Sequence, residues 1–132
     1  MSLAPLLAAP LLVQIHAWAA IAALLLGLVQ FAGPKGTRAH RVMGWSWLGL
    51  MAAVAASSFW ITGVAGPGSW SWIHGLSAGT LVLLPLAWMA ARRGRIGAHR
   101  NAMAALVLGG LVVTGAFTLL PGRIMGAVVF GP

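Results

Sequence analysis

Apolar residues run through four stretches of this chain, about 8–32, 42–64, 71–91 and 101–120, and the charged residues collect between them. Each stretch is near the roughly 20 residues that a helix needs to cross about 30 Å of hydrocarbon. Ile21 to Val29 and Ala102 to Val113 are continuous apolar runs without polar alternation, so the pattern predicts membrane helices and not barrel strands. Gly33-Pro34-Lys35-Gly36 stops the first helix and turns the chain, and Arg92-Arg93-Gly94-Arg95-Ile96-Gly97 does the same after the third. The middle connection, Ala65 to Ser71, carries Gly66-Pro67-Gly68 and separates two tight antiparallel hairpins. Pro85, inside the third stretch, is expected to kink it.

The hairpins are copies of one another. Ile15-His16 returns as Ile73-His74 at an offset of 58, and Ala39-His40-Arg41 returns as Ala98-His99-Arg100 at an offset of 59. The predicted domain is a single membrane unit, 1–132, with repeat one about 8–64 and repeat two about 71–123. Each copy crosses twice, so both enter with the same orientation and a pseudo-two-fold axis runs along the membrane normal. The predicted fold class is therefore all-α transmembrane: a four-helix bundle of two parallel-duplicated hairpins. Around that axis His16 is expected to face His74 at one end, and His40 to face His99 at the other.

Composition agrees and charge orients the bundle. The chain is 61% hydrophobic and 6% charged over 132 residues, too little polar surface for a soluble globule. Its eight Lys and Arg face no Asp or Glu. Lys35, Arg38 and Arg41 lie in the first hairpin connection, and Arg92, Arg93, Arg95 and Arg100 in the second. The positive-inside rule puts those connections in the cytoplasm and both termini on the periplasmic side. Such a cluster at anionic headgroups accounts for the charge without nucleic acid. The apolar run near the N-terminus is long enough to stay in the membrane and has no basic residue ahead of it, so a retained helix is expected rather than a cleaved leader.

An ionisable side chain inside a membrane helix is a functional candidate by default, and His16 and His74 lie inside their apolar stretches. His40 and His99 sit at the cytoplasmic edge, where capping a helix or meeting headgroups also explains them. Absence of Cys, Asp and Glu makes a two-histidine site poor for zinc and worse for calcium or magnesium. Haem brings four nitrogens of its own and asks for two axial ligands, and without cysteine it would be b-type. Expected ligand pairs for one or two haems are His16 with His74, the firmer pair, and His40 with His99. Arg41 and Arg100 follow the cytoplasmic histidines, Arg123 stands alone at the far side, and these are the candidate partners for haem propionates. Small residues at helical steps from the histidines, Ala20, Ala23 and Gly27 from His16, Gly44 from His40, Ser77 and Ala78 from His74 and Gly110 from His99, offer a groove or ordinary close packing.

The seven tryptophans, Trp18, Trp45, Trp47, Trp60, Trp70, Trp72 and Trp88, are expected in interfacial belts, with those beside His40 and His74 as candidate edges for haem or quinone. Ser57, Ser58, Thr62, Thr114 and Thr118 are expected to bond helix carbonyls or neighbouring helices. Without a carboxylate for acid/base work, hydrolysis is not expected, and one-electron chemistry carried by a cofactor is.

The runs Lys35-Gly36-Thr37-Arg38-Ala39-His40-Arg41-Val42-Met43-Gly44-Trp45, Ser57-Ser58-Phe59, Ile73-His74-Gly75-Leu76-Ser77 and Pro121-Gly122-Arg123-Ile124-Met125 resemble a bacterial family of predicted four-helix membrane proteins, catalogued as a domain of unknown function. That resemblance implies a multi-pass protein of the bacterial inner membrane. More distantly, the diagonal histidine pairs resemble di-haem transmembrane cytochromes b of the ascorbate-reductase and superoxide-oxidase kind. This second resemblance implies two b haems near opposite faces and electron transfer between them, with quinol, superoxide or a redox protein as donor or acceptor. The alternative is a non-haem accessory subunit of a larger membrane complex or a small-molecule transporter, either of which implies homo-oligomers or a fixed partner.

Overall fold

The computed structural model describes residues 1–62 and 68–131, so Ala65, Gly66 and Pro67 of the middle connection lie outside the described residues. The chain is all-helical, with no strand among those residues. Its elements are α1 (Ala4–Leu7), α2 (Leu11–Ala32), α3 (Arg38–Ser58), α4 (Trp72–Arg92), α5 (Ile96–Val107), a π-helical segment (Leu108–Val113), α6 (Thr114–Thr118) and α7 (Ile124–Phe130). Three helices are long and apolar enough to cross a membrane: α2, α4, and the continuous run Ile96–Thr118 made by α5, the π segment and α6. The protein is therefore membrane-embedded. α3 matches them in length at 21 residues, yet it carries Arg38, His40, Arg41 and three serines, which lower its mean hydropathy.

Consecutive helices pack side by side: α2 on α3, α3 on α4, α4 on α5, and the π segment returns to α2. Both hairpin turns use a left-handed glycine at matching places, Gly36 (φ 75°) and Gly94 (φ 70°), a conformation a Cβ would strain. Lys35 Nζ closes the C-terminus of α2 by donating to the carbonyls of Gln30, Phe31 and Gly33 at 2.6, 2.8 and 2.7 Å. These are the carbonyls that a helix end leaves without partners. Gln30 then crosses to α3, donating from Nε2 to the His40 carbonyl at 2.9 Å.

The core is made of Ala23, Trp47, Met51, Leu84, Ala87, Leu106, Val107 and Leu111. Trp47 is 1% exposed, and its Nε1 donates to the Ala23 carbonyl at 2.9 Å. That corrects the belt expectation for one residue: Trp18, Trp45, Trp60, Trp70 and Trp72 are exposed, whereas Trp47 is the largest side chain of the core. Gly27 and Gly110 serve this packing. A Cβ on Gly27 would lie 3.1 Å from Trp47 Nε1, and one on Gly110 would lie 3.2 Å from Met51 Cε. Pro85 sits within α4, which continues past it to Arg92.

The two ends of the chain meet. α1 packs on α7, with Leu6 and Val128 buried and Ser2 N donating to the Val128 carbonyl at 2.9 Å. Gln14 holds α1 to α2 by donating to the carbonyls of Leu7 and Ala9 at 3.1 and 2.9 Å.

Candidate histidine sites

Three consecutive residues at the end of α3 gather one cluster. Ser57 Oγ lies 2.8 Å from His16 Nδ1 on α2, Ser58 Oγ is hydrogen-bonded to Ser77 Oγ on α4, and the Phe59 ring lies 6.2 Å from that of His74. Trp70 completes it, 5.0 Å from His74 and 6.0 Å from Phe59 between ring centres. His16 and His74 thus reach the same end of α3, through different residues of it.

Their protons can be assigned from the partners. Ser57 donates its hydroxyl hydrogen to the Val54 carbonyl at 3.0 Å, so His16 is the donor to Ser57 and keeps a lone pair on Nε2. His74 is the reverse. The Ser71 backbone N–H donates to His74 Nδ1 at 3.0 Å, so a neutral ring carries its hydrogen on Nε2, a buried atom with no partner among the described residues. His74 occupies the third position of α4 after the cap residue Ser71, reaching back as Glu does in a capping box. In a chain without Glu, histidine takes that task.

At the other end the same spacing recurs. Thr37 caps α3 by accepting from the His40 backbone N–H at 3.1 Å, and His40 is again three residues on. Its ring does not return the bond: Nδ1 is buried and unpartnered. His99 Nδ1 meets the Ala87 carbonyl at 2.9 Å, which can only accept, so this ring holds its hydrogen on Nδ1 and presents a lone pair at Nε2. A ring fixed through Nδ1–H to a carbonyl is the usual arrangement of a metal-ligating histidine. His40 precedes the apolar stretch 42–64, and its pKa lies below the ordinary histidine value, first through burial and then through the charge of Lys35.

The arginines have other engagements. Arg41 donates weakly to the Gly36 carbonyl at 3.4 Å, and Arg123 lies over the Phe117 ring at 5.0 Å, which in turn meets Trp72 edge-on at 5.3 Å. Arg100 is exposed. Among the described residues no three histidines converge as a metal cluster, and neither of the two cavities described touches a histidine.

As an axial donor set the imidazoles fit an iron porphyrin unequally. His99 would offer its lone pair as it stands, and His40 has a free buried nitrogen. His16 is also ready, whereas His74 becomes a ligand at Nε2 only if its hydrogen moves to Nδ1 and the Ser71 cap is given up. Sequence reasoning passed over Thr37, Ser71 and Gln30. The repeated spacing Thr37-x-x-His40 and Ser71-x-x-His74 was the available signal for the caps.

This architecture has a counterpart among known sequences. The model of the family described as "Predicted membrane protein (DUF2306)" matches residues 13–128. The chain belongs to that family. No curated protein and no solved structure matches it. In this DUF2306 protein the matched span begins inside α2, contains α3 to α6, all four histidines and Arg123, and ends inside α7.

Proposed function

We propose that this protein is a four-helix bundle of the bacterial cytoplasmic membrane that binds b-type haem through histidine pairs and passes electrons between the two faces. The observation that carries the reading is the buried ring nitrogen without a partner in each pair, His40 Nδ1 and His74 Nε2. A buried polar atom costs free energy unless it is bonded, and both lie in a chain with no carboxylate to bond them. The packing of α1 on α7 supports an even number of crossings, because it brings both ends to one side. α3 then crosses as the fourth span, with Ser57 and Ser58 turned to the neighbouring helices. With the arginine turns inside, both ends are periplasmic. Topology reporters placed after Gly36 and after Gly94 are expected to read cytoplasmic, and either one reading outside overturns the orientation.

Haem, when bound, supplies a reversible one-electron change at iron, and the remaining tasks fall to the chain. His99, held by the Ala87 carbonyl, and His40 form the stronger site. His16, held by Ser57, and His74 form a second one that has to displace a helix cap. Arg41 and Arg100 beside the inner pair, and Arg123 at the outer end, are the cations available to propionates. Trp47, Met51 and the aliphatic core keep water from the space between the two ends. Electrons would come from or go to a quinol, superoxide or a redox partner, with a quinone headgroup seated among the exposed tryptophans.

The visible spectrum of protein purified from haem-replete cells tests this. A Soret band that sharpens on reduction is expected, and it should be lost from the inner site in His40→Ala and His99→Ala variants. His74→Asn keeps an acceptor where Nδ1 stands, and so the cap, while removing Nε2. An outer haem disappears in that variant, while the thermal stability of the haem-free protein stays that of haem-free wild type. A colourless wild-type protein overturns the haem reading and favours the accessory-subunit or transporter alternative.

A further inference from the structure

The second hairpin carries a groove that the histidine sites do not use. A cavity of about 290 Å³ opens between the last turns of α4 and the first turns of α5, lined by Leu83 and Leu86 on one wall, Ala98 and Ala102 on the other, and Arg93 and Arg95 at the turn. Leucine facing alanine leaves the space, since the short side chains of α5 do not fill what the leucines hold open. From Leu83 to Arg93 the groove follows about ten residues of helix, roughly 15 Å at 1.5 Å per residue. That is about half of a hydrocarbon core roughly 30 Å thick, the depth of one leaflet.

The charges at its mouth have nowhere to go within the protein. The chain contains no Asp or Glu, so neither this molecule nor a second copy supplies a side-chain carboxylate. The two hairpins differ in how they handle this. In the first, Lys35 and Arg41 turn to backbone carbonyls. In the second, Arg92 lies over the Trp88 ring at 5.5 Å, and the guanidinium groups of Arg93 and Arg95 have no acceptor among the described residues. Gly94, at φ 70°, turns the chain sharply between those two arginines.

We infer that this groove is a binding site for one anionic phospholipid of the adjoining leaflet, its phosphodiester held by Arg93 and Arg95 and one acyl chain laid between α4 and α5. Two guanidinium groups with five donors each suit phosphate oxygens, and a basic recess between helices at the membrane edge is where such headgroups seat. The proposal is independent of haem.

Native mass spectrometry of the full chain, titrated in micelles with phosphatidylglycerol or phosphatidylcholine, tests it. A saturable adduct of one phosphatidylglycerol is expected, with no equivalent for phosphatidylcholine. Arg93→Gln with Arg95→Gln should weaken it about thirtyfold, taking each arginine at the usual surface contribution. Arg38→Gln with Arg41→Gln removes the same charge from the other turn and should leave it within about twofold. Ala102→Leu fills the groove and should abolish the adduct while both arginines remain. Equal weakening by the two double variants would mean diffuse attraction and would overturn the site. So would full competition by glycerol phosphate, which has the headgroup chemistry without the chain, or an adduct that survives Ala102→Leu.

Discussion

Trp47→Ala is expected to destabilise the protein by about 3–5 kcal/mol, the range for emptying a buried aromatic position. In lipid, helices gain little from the hydrophobic effect between them, because acyl chains are as apolar as leucine, so packing and interhelical hydrogen bonds carry the association. Trp47 supplies both. It is 1% exposed, it ties α3 to α2 through the Ala23 carbonyl, and it rests on Gly27, where a Cβ would come within 3.1 Å of its Nε1. Removal leaves a void and takes its donor from the Ala23 carbonyl at once. Trp47→Phe keeps most of the volume and loses the hydrogen bond, so it should cost about 1 kcal/mol from that bond plus a smaller packing loss. Unfolding by denaturing detergent, followed by far-UV circular dichroism, separates the two. A Trp47→Ala protein as stable as wild type would mean that the core residue is dispensable, and with it this account of helix association.

The second large effect is expected at the paired ends. Leu6→Ala should release α1 and α7 together, at a local cost of about 2–5 kcal/mol. Four residues cannot sustain a helix alone, since nucleation is unfavourable and so short a segment gains too few bonds to offset it. α1 therefore exists because Leu6, 1% exposed, is buried where α1 meets α7, and because Ser2 donates to Val128. Hydrogen exchange should accelerate in both 1–9 and 124–131 while the amides of α3 and α4 stay protected. Gly126→Ala should produce the same pattern from the other partner, because its Cβ would stand 2.7 Å from the Leu120 carbonyl oxygen, which cannot move aside. Release of one segment without the other would show that they are not one unit.

The membrane helices were legible because lipid imposes long apolar runs, and the turns because the chain breaks each run with glycine. Gly36 and Gly94, in the two breaks expected to turn the chain, adopt the same left-handed backbone. Ser57, Ser58, Thr114 and Thr118 bond helix carbonyls as polar residues in apolar helices must, and Ser58 also reaches Ser77. What did not read through was which small or aromatic residue meets which. Trp47 and Trp45 lie two positions apart, and only the rotation of α3 against α2 decides that one is core and the other exposed. The ordering of the histidine sites was hidden for a similar reason. Depth in the apolar stretch favoured the outer pair, but ligand readiness depends on which ring nitrogen is already occupied, and the Ser71 backbone N–H occupies that of His74.

The π-helical turn at Leu108–Val113 bears on how the last long helix keeps its register. A turn bonded i to i+5 holds more residues than an α turn, so it absorbs an inserted residue locally and spares the rest of the helix a change of register. Leu106 and Val107 before it keep their places in the core, and Gly110 within it still passes against Met51 and Thr80. Everything from Thr114 onward is rotated relative to an uninterrupted helix. α3 has no such turn. The segment carrying Phe117 and leading to Arg123 therefore lies beyond the change of register that the π turn makes, whereas all four histidines precede it.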